Sequence, residues 1–325
     1  MHALKEDILD PDLEICDPHH HLWHYPQNRY GAEEILADLT DGHQVTSTVF
    51  IECLSKYKAD GPEHLKPVGE TEFVVSEAKR AAVLNPDINM SAAIVGFVDL
   101  TLETALVEEA LEGHIEASEG RYRGVRHAVA YDPHLGPSHT HPAAGLMLTD
   151  SYINGCKILQ RRGLVMDAWQ YHPQLSELKQ LAMRVSDLPI ILDHLGGVIG
   201  IENWVGRHDE IFPEWQKQIR ELAACDNIVM KLGGMAMKVN GFDWHHGTSA
   251  SSAEMAEVYA PWYHHAIDAF GVERCMFESN FPVDRVSCSY RTLWNMLKRL
   301  ASGCSDDEKK LLFRDNARKV YALDR

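Results

Sequence analysis

The chain has 325 residues, 45% hydrophobic and 24% charged, which is long enough for one large α/β domain and ordinary for a globular protein. Its formal charge of −17 argues against nucleic acid and anionic membranes as partners. No apolar run approaches the roughly 20 residues of a membrane span. The stretch Met1–Pro11 is charged and lacks the apolar core of a signal peptide, so the cytoplasm is the expected location.

The first strand expected is Leu13–Asp17. It runs into Cys16-Asp17-Pro18-His19-His20-His21-Leu22-Trp23, where strand alternation turns His19 and His21 to one face and His20 to the other. The second, Val45–Glu52, ends on Glu52. A long polar stretch, Glu52–Gly69, follows and carries Tyr57, Lys58 and His64; helical periodicity then covers Gly69–Leu84. Strand Ala92–Val98 precedes helix Thr101–Glu116. Strand Gly124–Val129 carries Arg126 and His127 and opens into the long loop Tyr131–Ser151. Strand Gly163–Asp167 is followed by His172 and by helix Leu175–Val185 after Pro173. Strand Pro189–His194 ends on Asp193 and His194, and the loop Ile199–Phe212 leads to helix Trp215–Ala224. Strand Asn227–Leu232 contains Lys231. The loop Met235–Ser252, with Trp244, His245 and His246, precedes helix Glu254–Ala269. The eighth strand, Arg274–Ser279, brings Glu278 and, two residues on, Asn280; helices Tyr290–Leu300 and Asp306–Tyr321 end the pattern.

Eight apolar strands alternating with helices, with no repeat or linker, predict a single-domain α/β fold, a (β/α)8 TIM barrel with its core at about residues 13–322. A doubly wound sheet is the alternative, but no GxGxxG follows the first strand. Gly196-Gly197 and Gly233-Gly234 read as tight turns after strands 6 and 7. The long loops all follow strands, so in a barrel they lie at the C-terminal mouth, where a site is built. The seven cysteines, scattered and odd in number, read as reduced, mostly buried thiols, with Cys16 a packing group rather than a nucleophile.

In a barrel the strand ends converge, which brings together His19, His21, Glu52, Arg126, His127, Asp193, His194, Lys231, Glu278 and Asn280. Polar groups ending apolar runs are hard to explain as core. Arg126 suits a carboxylate or carbonyl because its guanidinium is a two-pronged donor, though an ion pair with a strand-end acid would account for it equally. Lys231 could bind a substrate anion or be structural.

These segments resemble the amidohydrolase superfamily, in its amidohydrolase-2 branch of lactonase-like enzymes. The resemblance rests on Asp17-Pro18-His19-His20-His21-Leu22-Trp23, Ile191-Leu192-Asp193-His194-Leu195-Gly196-Gly197 and Phe277-Glu278-Ser279-Asn280-Phe281-Pro282-Val283-Asp284. Arg123-Gly124-Val125-Arg126-His127 and Tyr171-His172-Pro173-Gln174-Leu175 are similar to this branch as well. It implies a (β/α)8 hydrolase opening a lactone or similar cyclic ester of a small carboxylated compound. A decarboxylase or hydratase on the same barrel and a non-catalytic ligand-binding barrel are the alternatives.

On this resemblance His19, His21, His194, Glu278 and Asn280 are the catalytic candidates, and Glu52, Arg126, His127, Lys231, His172 and Tyr57 the substrate-binding ones. The family's strand-8 Asp is Asn280 here, and an amide is no base near neutral pH. His194 or one of the His19/His21 pair then ranks as base before Glu278, and Asp284 last. Strand 5 has no histidine, so the resemblance leaves two forms open. One Zn²⁺ could sit on His19, His21 and His194, or the imidazoles and Arg126 could polarise the carbonyl without a metal. A small molecule is the expected partner, and a homo-oligomer is compatible with the aromatic loops.

Overall fold

The computed structural model of the chain describes residues 6–246 and 250–324; Met1–Lys5 and three positions of the 235–252 loop lie outside the described residues. Eight parallel strands follow one another around a barrel in chain order. They are β1 (Glu14–His20), β2 (Gln44–Ile51), β3 (Asn89–Gly96), β4 (Tyr122–Val125), β5 (Val165–Ala168), β6 (Ile190–Leu192), β7 (Ile228–Leu232) and β8 (Cys275–Phe277). The helices after them are α1 (Ala32–Leu39), α2 (Val68–Leu84), α3 (Thr104–Ala117), α4 (Asp150–Arg162), α5 (Leu175–Arg184), α6 (His208–Ala223), α7 (Ser252–Phe270) and α8 (Tyr290–Leu300). This is the (β/α)8 barrel expected.

Both faces of each strand are covered, which is why the strands read as unbroken apolar runs. Val49, Ile51, Ala93 and Val95 point inward to a small core that also holds Cys16, Val165, Ile191, Met276 and Tyr321. Their neighbours Phe50 and Ile94 point out to the large core beneath the helices. The seam between β8 and β1 is short: His21 N donates to Phe281 O (2.8 Å) and Asn280 N to His19 O (2.9 Å). Asp17 fastens it, accepting from Ser279 N (3.0 Å) and from Tyr290 Oη (3.0 Å). At the opposite end α9 (Asp306–Lys310), a π-helical turn and α10 (Asn316–Val320) bring Tyr321 into the barrel floor.

Several features depart from the sequence expectation. Helix α1 is short and shares its crossover with a hairpin, Trp23–Tyr25 against Asn28–Tyr30. Helix α4 hides its buried stripe of Tyr152, Ile153, Cys156 and Leu159 among polar residues; Thr149 caps its start and left-handed Gly163 its end. Gly163 is therefore a helix cap and β5 begins at Val165. Helix α6 starts at His208 and carries Pro213 inside it, rather than beginning after the proline. Strands 6 and 8 stop short of the expected Pro189–His194 and Arg274–Ser279 because their polar ends leave the ladder and bond to one another.

Candidate active site

Strand β1 delivers His19 and His21 to the mouth and turns His20 outward, where its Nε2 meets Ser91 Oγ at 3.3 Å. His21 Nδ1 lies 2.8 Å from Ile51 O. A carbonyl only accepts, so Nδ1 carries the proton and Nε2 bears the lone pair. That Nε2 stands 3.3 Å from His19 Nε2 and 3.3 Å from Asn280 Oδ1. The Asn280 amide is oriented by its Nδ2, which donates to Asp284 Oδ1 at 2.8 Å.

The second imidazole is set by an acid. Glu278 Oε1 accepts from His194 Nδ1 at 2.6 Å and from His194 N at 3.2 Å, which leaves His194 Nε2 as a lone pair. Glu278 Oε2 also stands 2.8 Å from His19 Nδ1. The edge of Trp169 packs on the His194 ring at 4.9 Å. Backbone geometry makes this pairing: His194, Leu195 and Asn280 all have φ between 52° and 54°, a left-handed conformation uncommon outside glycine. Glycines leave the room. A Cβ on Gly233 would lie 2.3 Å from Glu278 Cγ, and one on Gly234 would lie 2.4 Å from His194 Nδ1.

Two cations hold the acids together. Lys231, fully buried, lies beneath the mouth; its Nζ donates to Asp167 (2.6 Å), pairs with Asp193 (3.1 Å) and stands 3.2 Å from His19 Nδ1. Tyr321 Oη donates to the same Asp167 at 2.8 Å. Arg126 donates from Nε to Glu52 Oε1 (2.8 Å), from Nη2 to Glu52 O (2.6 Å), and from Nη1 to Asp193 and toward His19 (both 3.3 Å). His139, from the loop after β4, brings its Nε2 to 3.1 Å from the same Glu52 Oε1.

The charges follow from these contacts. Burial, then Lys231, hold His19 well below the usual imidazole range, and burial with Arg126 brings His21 down to about 3. Burial opposes ionisation of Glu52, but Arg126 and His139 prevail and bring it to about 2. Burial likewise opposes ionisation of Asp193, and Lys231, His194 and Arg126 outweigh it. Burial pushes Asp167 and Asp284 up to about 7, against Lys231 and His194 respectively.

A cavity of about 230 Å³ opens over this cluster. Of the residues singled out in the sequence, His21, Arg126, His194 and Asn280 line it. His19, Glu278, Glu52 and Lys231 stand directly behind, each within bonding distance of a lining residue or of His19. Five do not reach it. His127 Nδ1 accepts from Leu100 N (3.1 Å) and its ring packs on Phe97 and Tyr152, because strand β4 ends before it. His172 Nδ1 accepts from Ile199 N (3.2 Å) and its ring faces Trp204 in a separate groove. Tyr57 is half-buried off the cavity wall, Asp284 lies behind Asn280, and Cys16 is a buried thiol pushed up to about 12 by burial. On the rim, Lys58 pairs outward with Glu72, His64 with Glu109, and Trp244 Nε1 bonds Tyr259 Oη.

The remaining walls are Trp23, Cys53, His139, Trp169, Met237 and Val283, none of them among the sequence candidates. Trp23 lies two residues past His21, and Trp169 two past Asp167, so strand alternation carried a signal for both. His139 had none, being one of three histidines in an aperiodic loop.

His19, Asp193 and His194 each offer a donor atom within 4.8 Å of the others. Two imidazoles and a carboxylate are a zinc-type donor set. Asp193 Oδ1 is buried and pairs with Lys231 Nζ at 3.1 Å. The set therefore fits a zinc ion.

The family described as Amidohydrolase matches this chain over residues 16–323. An uncharacterized protein, y4mH, of Sinorhizobium fredii is 29% identical over 96% of this chain and 99% of that protein. The L-fucono-1,5-lactonase of Burkholderia multivorans is 28% identical over 71% of this chain and 72% of that enzyme. A Burkholderia multivorans amidohydrolase crystallised with bound zinc superposes with a TM-score of 0.72 at 23% identity, over 95% of this chain and 99% of that one.

Proposed function

The chain belongs to the amidohydrolase family, and on that premise we propose that it hydrolyses a small lactone, with His194 as the general base on water. The observation that carries this reading is the 2.6 Å contact between His194 Nδ1 and Glu278 Oε1. Glu278 Oε1, accepting from Nδ1, fixes the tautomer and makes Nε2, on the cavity side, the basic nitrogen. Asn280 has no basic atom, so His194 takes the part its missing carboxylate would play.

In the reaction a water held near Asn280 Oδ1 attacks the lactone carbonyl carbon and gives its proton to His194 Nε2. Arg126, kept charged by Glu52 and Asp193, stabilises the oxyanion that forms. The ring C–O bond then breaks, the ring oxygen takes the proton from His194, and a hydroxy acid leaves. Burial, and after it Lys231, keep His19 neutral beside this path. If zinc occupies the site, His19, Asp193 and His194 would hold it, His194 through Nε2 and so no longer as base, and the ion would supply polarisation of a carbonyl or a water. Similarity to a sugar-acid lactonase over 71% of the chain supports the lactone class.

The expected substrate carboxylate is less well served. Four of the five Arg126 N–H groups already point at protein acceptors, which leaves no two-pronged fork for an anion.

The test is a panel of γ- and δ-lactones assayed with wild type, His194→Asn and Glu278→Gln. His194→Asn is expected to lower kcat by about 10²- to 10⁴-fold with melting temperature retained, and Glu278→Gln by less. Full turnover by His194→Asn would remove it as base, and CO₂ release from a carboxylated substrate without water uptake would make the enzyme a lyase.

A further inference from the structure

Beyond His21, Arg126, His194 and Asn280, the cavity wall is Trp23, Cys53, His139, Trp169, Met237 and Val283. Of these six only His139 has a strongly polar tip, and it is paired with Glu52. The Cys53 thiol is turned to protein acceptors, Leu22 O at 3.4 Å and Glu70 Oε1 at 3.6 Å. The rest of the wall is carbon and sulfur.

The apolar surface lies on two sides of the reacting groups. On one side the Trp23 indole stacks on His21, with ring centres 6.4 Å apart, and packs against the large core. The Tyr25 ring, 6.0 Å from it and 48% exposed, continues this surface out of the cavity. On the other side Trp169 meets His194 and forms a small cluster with Ala128 and Ala130, on which Met237 packs. Trp169 follows β5, four places from β1 in the ring of eight. Packing holds both indoles, so these surfaces are formed before a substrate arrives. Each begins at an imidazole of the site, so a group carried on the lactone ring beside the reacting carbonyl meets one of them. A hydroxyl seated there gives up its hydrogen bonds to water without replacement, whereas an alkyl or aryl group gains by burial.

Resting on the lactone reading above, we propose that the substrate lactone carries an apolar substituent seated against Trp23, Trp169, Met237 and Val283, so that the enzyme prefers alkyl or aryl lactones to polyhydroxylated ones.

The experiment measures kcat and KM for δ-valerolactone, δ-hexalactone, δ-heptalactone and δ-octalactone, and for the analogue of δ-heptalactone whose terminal methyl is replaced by a hydroxyl. It uses wild type, Met237→Leu and the double variant Met237→Gln with Val283→Thr; the indoles stay because they touch the imidazoles. In wild type kcat/KM is expected to rise about 4-fold per added methylene, mostly through KM. It should fall about 10- to 100-fold when the hydroxyl replaces the methyl. The double variant should flatten the rise, and Met237→Leu should keep it. A wild-type kcat/KM that stays level or falls along the series, a hydroxyl analogue as good as δ-heptalactone, or a rise that survives in the double variant would each overturn the proposal while leaving lactone hydrolysis standing. Failure of the wild type to open any of these lactones would overturn both.

Discussion

The histidines of this chain do different work according to what their Nδ1 atoms touch. His21 and His194 each donate from Nδ1 and present Nε2 to the cavity, one anchored by a carbonyl and the other by an acid. His114, far from the mouth, is satisfied on both sides: Thr71 Oγ1 donates to Nδ1 (2.8 Å) and Nε2 donates to Phe97 O (3.0 Å). Burial brings His114 down to about 4, against the Phe97 bond. A depressed imidazole means the folded state binds fewer protons than the unfolded chain between about pH 4 and 6.5. Stability from this group is thus complete above pH 6.5 and lost as pH falls toward 4. The full loss is worth about 3 kcal/mol. Denaturant titrations between pH 7 and 4.5 should give a shallower fall for His114→Gln than for wild type; identical slopes would mean His114 is not held neutral. Among single residues, the sequence pointed to His19, His21, His194, Glu278 and Arg126 because each ends or follows a strand. It could not separate His127 from Arg126, since adjacent residues differ only in which face the last strand turn gives them.

The elements place these groups by stopping early. β6 and β8 are three residues each, and the backbone beyond them turns left-handed at His194 and Asn280, folding both polar ends across the mouth. Gly233 and Gly234 end β7 with no side chain to obstruct Glu278 or His194. That role lies outside the tight turn their sequence suggests, because a close approach between strands leaves no local trace. At the floor, the last helix presents Tyr321 Oη to both oxygens of Asp167, which in turn holds Lys231. Tyr321→Phe keeps the ring and removes that bond, and should destabilise the protein by about 1–3 kcal/mol. Chemical denaturation reads this directly, and an unchanged midpoint would mean the bond adds nothing to the fold.

For the molecule as a whole, the barrel is a way of bringing distant strand ends into one buried cluster. His19, Asp193 and His194 come from the first and sixth strand ends, so an ion held by them binds only the folded state. Zinc added to metal-stripped protein is expected to raise Tm, by an amount equivalent to about 2.7 kcal/mol at a hundred times its dissociation constant. His194→Asn should lose that rise. A wild-type Tm that zinc leaves unmoved would take the ion off these residues. Among the described residues no helix is long and apolar enough to cross a membrane.

Sequence by itself determined the barrel, its strand order and most of the groups behind the site. These depend on local periodicity: apolar runs covered on two sides, helices between them, and polar residues where each run ends. Tertiary structure alone decided which of those groups meet. It paired Glu278 with His194, committed most of Arg126 to Glu52 and Asp193, and sent His127 and His172 elsewhere. It also brought His139 from an aperiodic loop onto Glu52. Such pairings join residues 67 to 87 positions apart, and nothing local in the chain encodes a distance of that kind.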